Sequence, residues 1–231
     1  MKKVLIVGGG TVSDMLINKY SVDKNFSYII AADNGLKVLD DVNVKPDMII
    51  GDFDTVNHDL IDKYKEEGYS TIIKYNPEKD CNDMELAIDK AIEYIDDSEA
   101  EITILGGTGT RIDHSSAGLR LLQKLTVKGI KGTILDSNNR IRLLADKCKS
   151  VELFADNLAN TGNTVSFKYV SLIPLSEEIK GITTKGLKYN LENADFRFDK
   201  NISLGVSNEI IKDRASVQIK SGKLFVIESV D

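Results

Sequence analysis

The chain has 231 residues and a formal net charge of -6 at neutral pH, from 30 lysines and arginines against 36 aspartates and glutamates. That length can bury a core in one large domain or two small ones, while the acidic balance disfavours non-specific nucleic-acid binding and gives no cationic patch for an acidic membrane. Cys81 and Cys148 are the 2 cysteines, which make no disulfide framework and suit a reducing cytoplasm.

The N-terminal "MKKVLIVGGG" has the charged start of a signal peptide, but its apolar run is too short and leads straight into glycines. It reads as a first strand, and no later run is long enough to span a membrane, so a cytoplasmic protein is expected. Further β-rich runs follow at "YIIAAD", "DMIIGD", "TIIKY" and "EITILGG", with helical patterns between several of them. The clearest helix runs from Asn82 to Ile95, where Met84, Ala87, Ile88, Ala91, Ile92 and Ile95 recur at three- and four-residue steps. Asp80, Asn82 and Asp83 suit its first turn. A second helix is expected from about His114 to Leu125. Strands alternating with helices predict an α/β domain with a parallel sheet covered on both faces.

After about residue 130 the texture changes. "TILDSNNRIRLLAD" reads as two strands around an Asn-Asn turn. "NTVSFKYVSLIPL" and "ASVQIKSGKLFVIES" alternate, the latter around a Ser-Gly turn. No long helical pattern remains. The expected division is an α/β domain over 1–145 and an all-β domain, a sandwich or barrel, over 146–231.

Chemistry gathers at the carboxyl ends of the predicted strands, where doubly wound sheets bind their ligands. Gly8-Gly9-Gly10 follows the first, Asp33-Asn34-Gly35 the second and Gly51-Asp52-Phe53-Asp54 the third. "NPEKDCND", with Asp80 and Asp83, follows the fourth, and "GGTGTRIDH", with Arg111 and Asp113, the fifth. If "GDFD" stays extended, Asp52 and Asp54 project to one side and repel unless water or a cation lies between them. Glycine-rich loops let backbone N–H groups approach phosphate oxygens. Carboxylates beside phosphates call for a hard divalent cation, and magnesium takes both kinds of oxygen.

Plainer roles compete at several positions. Asp33 also suits ordinary turn chemistry, and Asp83 also complements a helix N-terminus. Lys79 reads as a solvated charge and His58 as part of a surface turn. His114 is as well placed for helix entry as for catalysis. Cys81 reads as a small packed residue. No G-x-x-x-x-G-K-[ST] motif occurs, and "GGGTVS" is only a partial dinucleotide fingerprint, with Ser13 in place of the last glycine.

The segments "AADNGLKVL", "KPDMIIGDFDT", "EKDCNDMELAI" and "GGTGTRIDH" resemble successive motifs of the thiamine pyrophosphokinase family. "SLIPLSEE", "GITTKGLKYNL" and "LGVSNE" are similar to that family's C-terminal signatures, so the resemblance runs nearly end to end. It implies a Rossmann-like N-terminal domain, a C-terminal β-sandwich, a homodimer, and diphosphoryl transfer from ATP to thiamine with magnesium. By motif, Asp52, Asp54 and Asp80 resemble the metal-binding acids, and Asp33, Asp83 and Asp113 line the same family site. Gly106, Gly107, Thr108 and Arg111 fall in the loop that holds the ATP phosphates. Ser207 and Asn208 resemble residues of a thiamine pocket between subunits. Tyr189 occupies a position where some members stack a tryptophan on thiamine; its alternative is a core aromatic of the sandwich. Departures include Thr55 for serine, Asn82 for threonine, Thr110 for glycine, and Ser116 and Gly118 for leucine and asparagine.

Overall fold

The computed structural model describes residues 1–13, 16–17, 26–54, 56–76, 81–96, 99–154, 167–200 and 203–230. Asp80, Lys79 and Thr55 lie outside the described residues. The chain divides into two compact units, one from residues 1–121 and 132–137, the other from 122–131 and 138–231.

In the first unit each run read as a strand is one: β1 (Lys2–Val7), β2 (Tyr28–Ala32), β3 (Met48–Gly51), β4 (Thr71–Lys74) and β5 (Ala100–Leu105), followed by β6 (Lys131–Leu135). β1 pairs in parallel with β2 and with β5, and β2–β3 and β3–β4 pair likewise. Val4–Val7, Ile30–Ala32 and Ile49–Ile50 are buried, because a parallel sheet covered on both faces needs continuous apolar sequence. The strand order is β6-β5-β1-β2-β3-β4. The chain therefore runs outward from β1 to β4 and returns on the far side of β1, which places the switch point between β1 and β5.

Among the described residues the helices are α1 (Gly35–Asp41), α2 (His58–Glu67), α3 (Asp83–Ile95) and α4 (Ile112–Lys128). The predicted stripe of α3 is its buried face: Ala87, Ile88, Ala91 and Ile95. Asn82 caps it, accepting from Glu85 N at 2.8 Å. α4 begins at Ile112 rather than near His114 and runs past Leu125 to Lys128. His58 is not in a turn; it opens α2, capped by Asn57 accepting from Asp59 N at 3.0 Å. Only Ile61 and Tyr64 of that helix are buried, too narrow a stripe for its periodicity to be heard. None of these helices is long and apolar enough to cross a membrane.

The second unit is β-rich. β7 (Asn139–Leu144), β9 (Tyr169–Pro174), β12 (Asn208–Glu209) and β14 (Leu224–Ser229) lie in the order β12-β9-β14-β7. β8 (Ser150–Phe154), β10 (Glu178–Lys185), β11 (Ala194–Arg197) and β13 (Arg214–Gln218) form a sheet ordered β11-β10-β13-β8. Leu144, Val170, Leu172, Leu224 and Val226 from the first set pack with Leu153, Ile179, Ile182, Phe196, Ala215 and Val217 from the second. Two antiparallel layers sharing one apolar core make a sandwich. The Ser-Gly turn does not join a hairpin. β13 pairs with β8 and β10, whereas β14 pairs with β7 and β9, so Ser221-Gly222 carries the chain from one layer to the other. Gly222 has φ +98°, and a Cβ there would meet Glu178 O at 2.6 Å.

Among the described residues of this unit, buried charge gathers in one cluster. Glu228 is fully buried, hydrogen-bonded to Arg142 and 3.8 Å from Arg140 Nη1. Arg142 Nη1 also donates to Glu152 O on β8 at 3.0 Å, and the Arg140 guanidinium lies 4.6 Å from the Phe167 ring centroid.

Candidate active site

The glycine loops after β1 and β5 meet at the switch point. Gly8 N donates to Leu105 O at 2.8 Å, Gly10 N to Gly106 O at 3.2 Å and Thr11 N to Thr108 O at 2.9 Å. A Cβ on Gly10 would lie 2.2 Å from Thr108 O, and one on Gly106, itself at φ +69°, would lie 2.4 Å from Gly8 O. Close approach of two backbones, as much as approach to a ligand, demands glycine here. The interlocked loops floor a cleft of about 710 Å³. Its walls include Asp33, Asp83, Gly106, Gly107, Thr108, Arg111, Asp113 and His114.

Asp33, Asp52 and Asp54 each offer a carboxylate oxygen within 4.8 Å of the others. Asp33 also lines the cleft, so it joins the acidic group to the glycine loops. The segment from 51 to 54 is not extended. Phe53 is left-handed at φ +62°, its ring buried at 3 % exposure, and Asp54 N donates to Asp52 Oδ1 at 3.1 Å. The turn, rather than strand alternation, brings the two acids together. Gly51 permits it: a Cβ there would stand 3.1 Å from the Phe53 ring and 3.3 Å from Asp33 Cα. A bulky residue at positive φ is strained and is held only by its surroundings.

Also lining the cleft, Arg111 grips Asp113 through two bonds, Nε to Oδ1 at 3.2 Å and Nη2 to Oδ2 at 2.6 Å. That fork, helped by the His114 N–H, lowers the Asp113 pKa to about 2. Two residues that the sequence reading passed over shape the loop between them. The buried Ser115 hydroxyl accepts from Gly109 N at 3.1 Å and donates to Arg111 O at 3.1 Å. Asp136, directly after β6, accepts from the Thr108 hydroxyl at 2.8 Å. Its signal was an acid at a strand's carboxyl end, the pattern that marked Asp33 and Asp52. It was masked by the reading of "DSNN" as a plain turn. Gly118 of α4 brings helix and loop together, since a Cβ there would lie 2.5 Å from Gly107 O.

In the second unit Tyr189, Ser207 and Asn208 stand together. The Asn208 side chain accepts from Tyr189 N at 3.1 Å and donates to Tyr189 O at 2.7 Å. Ser207, at φ +59°, donates its N–H to Ser171 Oγ at 3.1 Å. Tyr189 is 67 % exposed and is not a core aromatic. The Lys188 ammonium lies 5.7 Å from its ring centroid.

Two family models match the chain: "Thiamin pyrophosphokinase, catalytic domain" over residues 20–134 and "Thiamin pyrophosphokinase, vitamin B1 binding domain" over 160–224. The thiamine pyrophosphokinase of Bacillus subtilis (strain 168) is 31% identical over 231 residues, covering 100% of both chains. Thiamine pyrophosphokinase 2 of Arabidopsis thaliana is 28% identical over 193 residues, 79% of this chain and 65% of that protein. The crystal structure of the Bacillus subtilis protein superposes with a TM-score of 0.82 at 30% identity and full coverage of both chains. The Candida albicans thiamin pyrophosphokinase shares the fold, with a TM-score of 0.78 at 20% identity over 99% of this chain and 89% of that one. With an end-to-end relative and both family models in order along the sequence, the chain belongs to the thiamine pyrophosphokinase family.

Proposed function

We propose that this chain transfers the diphosphoryl group of ATP to the hydroxyl of thiamine, giving thiamine diphosphate and AMP, with the donor in the glycine cleft of the first unit. The observation that carries the reading is the meeting of Asp33, Asp52 and Asp54 within 4.8 Å at the edge of a glycine-lined cleft. Three carboxylates so close repel one another unless a cation intervenes. An all-oxygen set of carboxylate donors fits magnesium. Asp33, Asp52 and Asp54 would hold such an ion, which would supply positive charge to the polyphosphate. Arg111, which lines the same cleft, adds a positive group of the chain's own. The thiamine hydroxyl attacks the β-phosphorus, the bond from that phosphorus to the bridging oxygen of AMP breaks, and the hydroxyl proton is released. Asp113, held near a pKa of 2 by Arg111, is a poor acceptor for that proton while the fork persists. Asp80, which the resemblance puts among the metal-binding acids, falls outside the described residues.

The same reading assigns thiamine to Tyr189, Ser207 and Asn208, with Asn208 fixing the backbone that presents the Tyr189 ring. A phenol face stacks on a cationic heterocycle with about 2 kcal/mol when desolvated. Exposed Leu204, Val206 and Ile211 beside these residues support a homodimer that covers this surface, with thiamine at the subunit interface; the same reading puts the enzyme in the cytoplasm. Incubation with ATP, magnesium and thiamine tests the reaction: AMP and thiamine diphosphate are expected in equal amounts. ADP as the product would replace it with monophosphoryl transfer.

A further inference from the structure

Thr108 lines the glycine cleft just beyond β5, and Asp136 follows β6. The Thr108 hydroxyl donates to Asp136 Oδ2 at 2.8 Å. A threonine hydroxyl has one hydrogen and two lone pairs, and a carboxylate offers only acceptor sites. With its hydrogen committed to Asp136, the hydroxyl presents a ligand with lone pairs alone. Phosphate oxygens carry lone pairs and negative charge of their own, so they gain nothing from such a group. A ligand hydroxyl, which brings a hydrogen, does. The backbone that carries Thr108 is held at and just after the residue: Thr11 N donates to the Thr108 carbonyl oxygen at 2.9 Å, and Ser115 Oγ accepts from Gly109 N at 3.1 Å.

We propose that Thr108, oriented by Asp136, accepts a hydrogen bond from a ribose hydroxyl of the bound nucleotide and makes the cleft selective for ribonucleotides. This rests on ATP occupying the cleft, as proposed above. The Thr108 side chain then reads the sugar. Asp136 is a positioning residue, acting through Thr108 alone.

Calorimetric titration of the full chain with ATP, 2′-deoxyATP and 3′-deoxyATP, with magnesium present and thiamine absent, tests the assignment. The unsubstituted protein is expected to bind ATP about 3- to 10-fold more tightly than one of the two deoxy analogues, the worth of one neutral hydrogen bond. Thr108→Val, which keeps the shape, should bind ATP no better than that analogue, and Thr108→Ser should keep the preference. Asp136→Ala frees the hydroxyl to turn its hydrogen either way. Its preference for ATP should shrink while its affinity for the analogue stays. An equal fall for all three nucleotides in Asp136→Ala overturns the positioning role. Equal affinity of the unsubstituted protein for all three overturns sugar recognition but leaves the phosphate site standing. Failure of all three to bind overturns the assignment of the cleft to a nucleotide, and this inference with it.

Discussion

Phe53 carries more of the site than its neutrality suggests. Its left-handed backbone costs on the order of 1–3 kcal/mol, and the burial of its ring opposes that cost. Phe53→Ala removes the anchor and is expected to destabilise the fold by about 3–5 kcal/mol, read by urea denaturation. Magnesium affinity should fall with it, because Asp52 and Asp54 lose their common turn. Asp52→Ala, by contrast, should leave stability nearly unchanged and abolish AMP formation; near-normal turnover at saturating magnesium would remove that acid from the metal site. The Arg111–Asp113 fork makes a pH prediction of definite sign. Asp113 has its folded pKa lowered from 3.8 to about 2. The stability it contributes is therefore fully present above the unfolded value and is lost as pH falls through about 2. Arg111→Met should bring the Asp113 carboxyl back towards 3.8, a shift visible by carbon NMR titration; an unmoved titration would show that other groups hold it down.

Between elements, the contact that matters is α4 against the loop after β5. Replacing a mid-helix glycine by alanine ordinarily gains up to about 1 kcal/mol. At Gly118 the added Cβ would lie 2.5 Å from Gly107 O, and such overpacking costs about 1–3 kcal/mol. The clash wins. Gly118→Ala should be less stable in urea and, because the loop must move, raise the KM for ATP on the order of 10-fold. An alanine variant with unchanged KM would show that the loop yields without consequence for the nucleotide. This packing was not legible in the sequence, where Gly118 read only as a departure from the family's asparagine. Elements whose chemistry is local were legible. Asn82 capped α3 as expected and its apolar stripe faced inward, because capping and periodicity are set within one turn. α2, with a two-residue stripe, and the layer change at Ser221-Gly222 were not, since partners distant in sequence decide them.

At the scale of the molecule, the carboxyl edge of the first sheet was readable because β1, β2, β3 and β5 each end at or run straight into glycine or aspartate. The left-handed turn at Phe53 and the Asp136 contact, which depend on tertiary packing, were hidden. The buried ions of the second unit were equally silent. Glu228→Gln would remove the buried carboxylate charge that faces Arg140 and Arg142 and is expected to cost about 3–5 kcal/mol. Replacing all of Arg140, Arg142 and Glu228 by apolar residues of similar volume should be close to neutral; denaturation of both variants checks the pair of values. The central parallel pairing has a temporal consequence. β1 meets β5 with Lys2 opposite Ala100, so the two glycine loops that floor the cleft are joined only after the intervening strands have emerged from the ribosome. A nascent chain that ends before β5 owns Asp33, Asp52 and Asp54 yet has no second loop to lock against the first. Premature termination there yields a fragment that holds the three acids but lacks half of the cleft proposed for ATP, and it is expected not to bind ATP.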